Sequence, residues 1–173
     1  MTLKEMIQKS MCNALNQLQI IAIIEAHGKA KEGLLSILLE IQKTSGENYV
    51  HEQWAKLVAD HLGLPYSKVY DVLTFYAMFS MTPRGKYVIE VCKSTPCYVS
   101  KSARIIKILE EELGITIGNT TEDKLFTLLY TPCVGACDIE PVIVIGEEVY
   151  GNLTTAKITE LINTYRGGVP CQR

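Results

Sequence analysis

Two short cysteine-bearing segments constrain this chain more than any other feature. "VCKSTPCY" places four residues between Cys92 and Cys97, and "TPCVGACDIEP" places three between Cys133 and Cys137, with Gly135 at the centre of the turn. Six cysteines in 173 residues is far below the density of a secreted disulfide scaffold. The opening "MTLKEMIQKS" has no apolar signal core, so the chain reads as cytoplasmic, with reduced thiols. In that compartment paired cysteine turns favour metal or redox chemistry.

The pattern around the pairs changes part-way along the chain. In "EGLLSILLEIQKTSG" Leu34, Ile37, Leu38 and Ile41 recur at helical spacing, and Ser45–Gly46 ends the run. "HEQWAKLVADHLG" repeats the pattern through Trp54, Leu57, Val58 and Leu62 to Gly63. Ser67 then reads as the cap of a third helix, "KVYDVLTFYAMF". The turn-rich "TPRG" closes this region, which predicts a helical docking domain over residues 1–82 and a second domain over 83–173. In the second, "KYVIEVC" and "LFTLLYTPC" read as strands and "SKSARIIKILEEELG" as a helix closed by Gly114. "PVIVIGEEVYG" reads as a hairpin turning at Gly146–Glu147, and "TTAKITELINTYRGG" as a helix capped by Thr154. The order is β-α-β-β-β-α, an α+β chain in which a helical domain precedes a mixed sheet.

In a right-handed parallel crossover the carboxyl ends of the first two strands lie side by side. Two loops separated by 35 residues of sequence are thereby brought together, and each carries two thiolates. Zinc accepts four sulfurs, usually from tighter knuckles. A [2Fe–2S] cluster also takes four, usually two per iron. Gly135 lets the backbone bend and turn its amides toward sulfur. Pro96 stiffens the first loop, and Thr95 reads as an ordinary turn residue.

The stretches "VCKSTPCYV", "GNTTEDKLFTLLYTPCVGACDIEPVIVIGEEVYGNLT" and "LPYSKVYDVLTFYAMFSMTPRGKYVIEVC" resemble the thioredoxin-like [2Fe–2S] subunit of NADH-oxidising complexes. That family comprises the E-type subunit of respiratory complex I and the gamma, or C, subunit of NAD-linked, electron-bifurcating hydrogenases and formate dehydrogenases. The resemblance runs from about Leu34 to Tyr165. It implies a thioredoxin-like second domain and Cys92, Cys97, Cys133 and Cys137 as ligands of one [2Fe–2S] cluster. It also implies an electron-transfer role beside a partner flavoprotein, with FMN, NAD(H) and further iron–sulfur clusters on partner subunits. "STPCYV" leans toward the soluble hydrogenase or formate dehydrogenase branch over complex I. Lys124 departs from the family's usual glycine and Val134 from its usual leucine.

Other signals are weaker. His27, His51 and His61 lack metal spacing, and no glycine-rich phosphate loop is present, so nucleotide belongs elsewhere. "HEQWAKLVADHLGLPYSKVYDVLTFY" scans as helix-turn-helix, which suggests a zinc-stapled adaptor as a rival of another class. However, neither half of the chain has the basic excess that nucleic acid selects. Apolar runs such as "IIAII" are too short to span a bilayer. No C-x-x-C exists for dithiol catalysis. Cys12, on an expected helix, and Cys171, in the tail, read as bystanders.

Overall fold

The computed structural model describes residues 15–28, 30–100 and 102–167; Cys12 and Cys171 lie outside them. The chain divides into two compact units, Met1–Pro83 and Arg84–Arg173.

The first unit is helical: α1 (Gln17–Ala26), a 3-10 turn (Lys31–Gly33), α2 (Leu34–Thr44), α3 (Glu52–Leu62) and α4 (Tyr66–Phe75). The periodic residues do what their spacing predicts. Ile37, Leu38 and Ile41 on α2 are fully buried against Ile20 and Ile24 on α1 and Val58 on α3. Each such side chain stabilises the unit by about 2 kcal/mol. Helix α1 goes beyond the sequence reading. Its signal is a capping box: Asn16 accepts from the Gln19 amide at 2.8 Å, and the Gln19 side chain accepts from the Asn16 amide at 3.0 Å.

Two details of α4 correct the expectation. Pro65, not Ser67, is the N-cap: its fixed φ of −64° sets the entry, the Lys68 amide bonds its carbonyl at 3.0 Å, and Ser67 falls inside the first turn. The helix also stops at Phe75 instead of running on through "YAMF", because buried Gln42 captures the following backbone. Its Nε2 donates to the Met78 carbonyl and its Oε1 accepts from the Ser80 amide, both at 2.8 Å.

In the second unit, β1 (Tyr87–Cys92) is followed by α5 (Thr95–Val99), α6 (Ser102–Leu113) and β2 (Phe126–Thr131). A 3-10 turn (Cys137–Ile139), β3 (Ile143–Ile145), β4 (Glu148–Tyr150) and α7 (Thr155–Arg166) complete it. The sheet order is β2-β1-β3-β4, with β1 and β2 parallel and the other pairs antiparallel. Side chains alternate along β1, so Ile89 and Val91 enter the core with Ile105 and Leu109 of α6 and Ile158 and Ile162 of α7. The hairpin turns at Gly146–Glu147, and Thr154 caps α7 through the Lys157 amide at 3.3 Å.

Two glycines are packing necessities. A Cβ on Gly85 would lie 2.6 Å from the Phe126 backbone, and one on Gly151 would lie 2.3 Å from the Ile139 carbonyl oxygen. Lys124, where the resembled family has glycine, sits at φ 56°.

Candidate metal centre

The parallel ladder aligns Cys92, the last residue of β1, with Thr131, the last of β2. The Lys93 amide continues the pairing to the Thr131 carbonyl at 3.2 Å, so the segments that follow both strands leave from one sheet end. The first segment differs from the expected loop. Residues 95–99 form the short helix α5, begun by Pro96, whose missing amide hydrogen is no loss in a first turn. This turn carries Cys97 inward.

Burial divides the four thiols into two pairs. Cys92 is 1% exposed and Cys97 2%; they pack on Val142, with Ala136 and Ile139 alongside. Cys133 and Cys137 are exposed, with their sulfurs 3.8 Å apart. Gly135, at φ 84°, turns its amide to the Cys133 sulfur at 3.4 Å, as the turn glycine predicts. Cys133 lies two residues beyond the end of β2, and Cys137 opens the 3-10 turn.

The Cys92 amide donates to the Val142 carbonyl at 3.2 Å, which ties the end of β1 to the chain just beyond the second segment. Burial opposes ionisation of Cys92. Donors from the Ser94 backbone and hydroxyl, from Cys97 and from Val134 outweigh it, and its thiol lies below the ordinary range. Burial, reinforced by the Cys92 contact, pushes Cys97 up to about 11. The Cys133 contact raises Cys137. The Ser100 hydroxyl donates to the Glu140 carboxylate, a further tie between the segments.

Among the described residues no three Cys, His, Asp or Glu side chains converge on a single ion-sized point. The histidines are occupied elsewhere. His27 pairs with Glu40 at 2.6 Å, and His51 caps α3 through the Gln53 amide at 3.2 Å.

Residues 20–166 match the family described as thioredoxin-like [2Fe-2S] ferredoxin. The chain belongs to that family. Known relatives of this ferredoxin include the NADP-reducing hydrogenase subunit HndA of Solidesulfovibrio fructosivorans, 34% identical over 147 residues, or 85% of each chain. The E-type subunit of the NADH-quinone oxidoreductase of Rickettsia prowazekii (strain Madrid E) is 39% identical over 137 residues, 79% of this chain and 77% of the relative. A crystal structure of an air-oxidised NAD+-reducing [NiFe]-hydrogenase shares the fold, with a TM-score of 0.72 and 22% identity. It covers 83% of the ferredoxin, which spans 24% of that longer chain. The fold and cofactor class implied by the resemblance are therefore those of the family to which the chain belongs, and the family match begins earlier than Leu34. Among the described residues no helix is long and apolar enough to cross a membrane.

Thr95, read from the sequence as an ordinary turn residue, is exposed.

Proposed function

We propose that Cys92, Cys97, Cys133 and Cys137 hold the [2Fe–2S] cluster of this family, and that the chain is an electron-carrying subunit beside an NAD(P)H-oxidising flavoprotein. The observation that supports the ligand set is the division into two thiol pairs at one sheet end, one buried and one exposed. When bound, such a cluster supplies one-electron exchange, which lets the two electrons of a hydride taken up by a flavin leave singly.

The chain's own residues set the conditions. Cys92, Cys97 and Val142 exclude water from the inner side, where charge interactions are strong. The Gly135 amide meets the negative charge on the Cys133 sulfur. The exposed side, at Cys133 and Cys137, is where an electron enters or leaves.

FMN, NAD(H) and further iron–sulfur clusters belong to partner subunits on this reading, since the sequence has no phosphate-binding glycine loop. Relatives come from both a hydrogenase and a quinone oxidoreductase at comparable identity. The reading covers what both have in common: a cytoplasmic electron carrier docked on a larger NAD(P)-linked assembly, with the helical unit as a docking domain.

Anaerobically purified protein should be red-brown, contain iron and inorganic sulfide in equal amounts, and give an EPR signal on reduction. Cys97→Ser and Cys133→Ser should each lose that spectrum. Zinc without sulfide would favour the stapled adaptor instead, and a normal spectrum in both variants would remove these ligands.

A further inference from the structure

We propose that Cys133 and Cys137, in a chain that carries no cluster, close to a disulfide on contact with a small-molecule disulfide such as oxidised glutathione, while Cys92 and Cys97 stay as thiols. The bond itself needs no assumption about a metal. Its consequence, that cluster insertion waits for a dithiol reductant, rests on the four-cysteine reading above.

Placement and access carry the inference. The sulfurs of the second segment stand 3.8 Å apart. A disulfide needs about 2.05 Å, so closure asks each sulfur to move by roughly 1 Å. The segment has room for that motion. Pro132, Cys133, Val134, Gly135 and Cys137 are all exposed, and open space lies beside Gly135, whose φ of 84° folds the segment back.

The first pair has the opposite setting. Cys92 is held in the sheet, and Cys97 is carried inward by α5. Both pack with Val142, Ala136 and Ile139 and are at most 2% exposed. Thiol–disulfide exchange needs direct access of one sulfur to another. Cys133 and Cys137 offer it, and Cys92 and Cys97 do not.

The exchange runs in two steps. One of the exposed sulfurs attacks the small disulfide, forms a mixed disulfide and releases one small thiol. The neighbouring sulfur then displaces the second small thiol and closes the protein bond. Each protein thiol gives its proton to a released thiol, and two electrons pass from the protein sulfurs to the small disulfide. A dithiol reductant reverses both steps. In the closed form only the buried pair remains to bind iron.

The test takes the full chain, stripped of iron by chelation without oxygen, and exposes it to oxidised glutathione. At intervals the free thiols are alkylated and mapped by peptide mass spectrometry. Alkylation of Cys133 and Cys137 should give way to a peptide lighter by two hydrogens. That change should be at least about tenfold faster than any loss at Cys92 and Cys97, which react only when the fold opens locally. Cys137→Ser should instead keep glutathione on Cys133. Given ferrous iron and stoichiometric sulfide, the closed form should gain about tenfold less cluster absorbance than the same sample pretreated with dithiothreitol. Persistent free thiols at Cys133 and Cys137, a lasting mixed disulfide on the wild type, or a Cys92–Cys97 bond formed as fast overturns the proposal. Equal cluster uptake by both samples overturns its consequence. Failure of the ligand assignment would look different, because the peptide map would stand while the reduced sample took up no iron and sulfide.

Discussion

Gly151→Ala is a sharp test of how the second cysteine segment is held. Gly151 follows β4 and faces the turn Cys137–Ile139. An added Cβ would stand 2.3 Å from the Ile139 carbonyl oxygen, 2.5 Å from its Cγ1 and 2.6 Å from its own Cβ. Real Cβ atoms essentially never approach within 3.0 Å, so the turn must retreat by at least 0.7 Å. The obstacle includes backbone, and that same carbonyl accepts the Asn152 amide at 2.6 Å. Gly151 needs no left-handed φ, so its requirement is steric. Overpacking costs about 1–3 kcal/mol, and weakening one hydrogen bond adds about 1 kcal/mol. A loss near 2 kcal/mol should lower the melting temperature by roughly 10 °C. Because Ile139 ends the turn that Cys137 begins, iron and sulfide content should fall as well. Gly118→Ala is the control: it meets nothing within 4 Å and sits at φ +93°, so only backbone strain of about 1 kcal/mol applies. Thermal melts of the full chain, with iron and sulfide analysis, measure both effects. A Gly151→Ala protein that melts with the wild type and keeps its cluster would refute the close approach.

Other predictions are separate. Lys124→Gly should stabilise the chain by about 1 kcal/mol, because φ 56° strains a residue with a Cβ; a chemical-denaturation midpoint that fails to rise would contradict this. Gln42→Leu should cost about 2–4 kcal/mol by leaving the Met78 carbonyl and Ser80 amide without their partner, and a far smaller loss in the denaturation curve would mean that the strap is held elsewhere. Thr127→Val removes the hydroxyl that accepts the Gly85 amide at 2.6 Å. It should cost about 1–3 kcal/mol and speed hydrogen exchange at Gly85; unchanged exchange would count against that bond. The purified chain alone should show no NADH oxidation, and turnover without any flavoprotein would overturn the proposed division of labour.

The elements with a strong local signature were legible in the sequence. Leu34, Ile37, Leu38 and Ile41 announce α2 by their spacing, and the hairpin declares itself at Gly146–Glu147. A local signature was also present for α1, in Asn16 and Gln19, but it is short and easily passed over beside "IIAII". Ser67 shows the opposite case: it is a plausible cap by residue type, yet the preceding Pro65 took the role by setting the backbone.

What the sequence by itself determined is therefore the chain's periodicity and its turns, because those depend on residues a few places apart. Only the tertiary structure decided that Cys92 and Cys97 are buried while Cys133 and Cys137 stay exposed, and that Gly151 admits no side chain. These properties arise where segments distant in the chain meet. Burial, hydrogen-bond direction and free space belong to the closed fold and to no stretch of sequence alone.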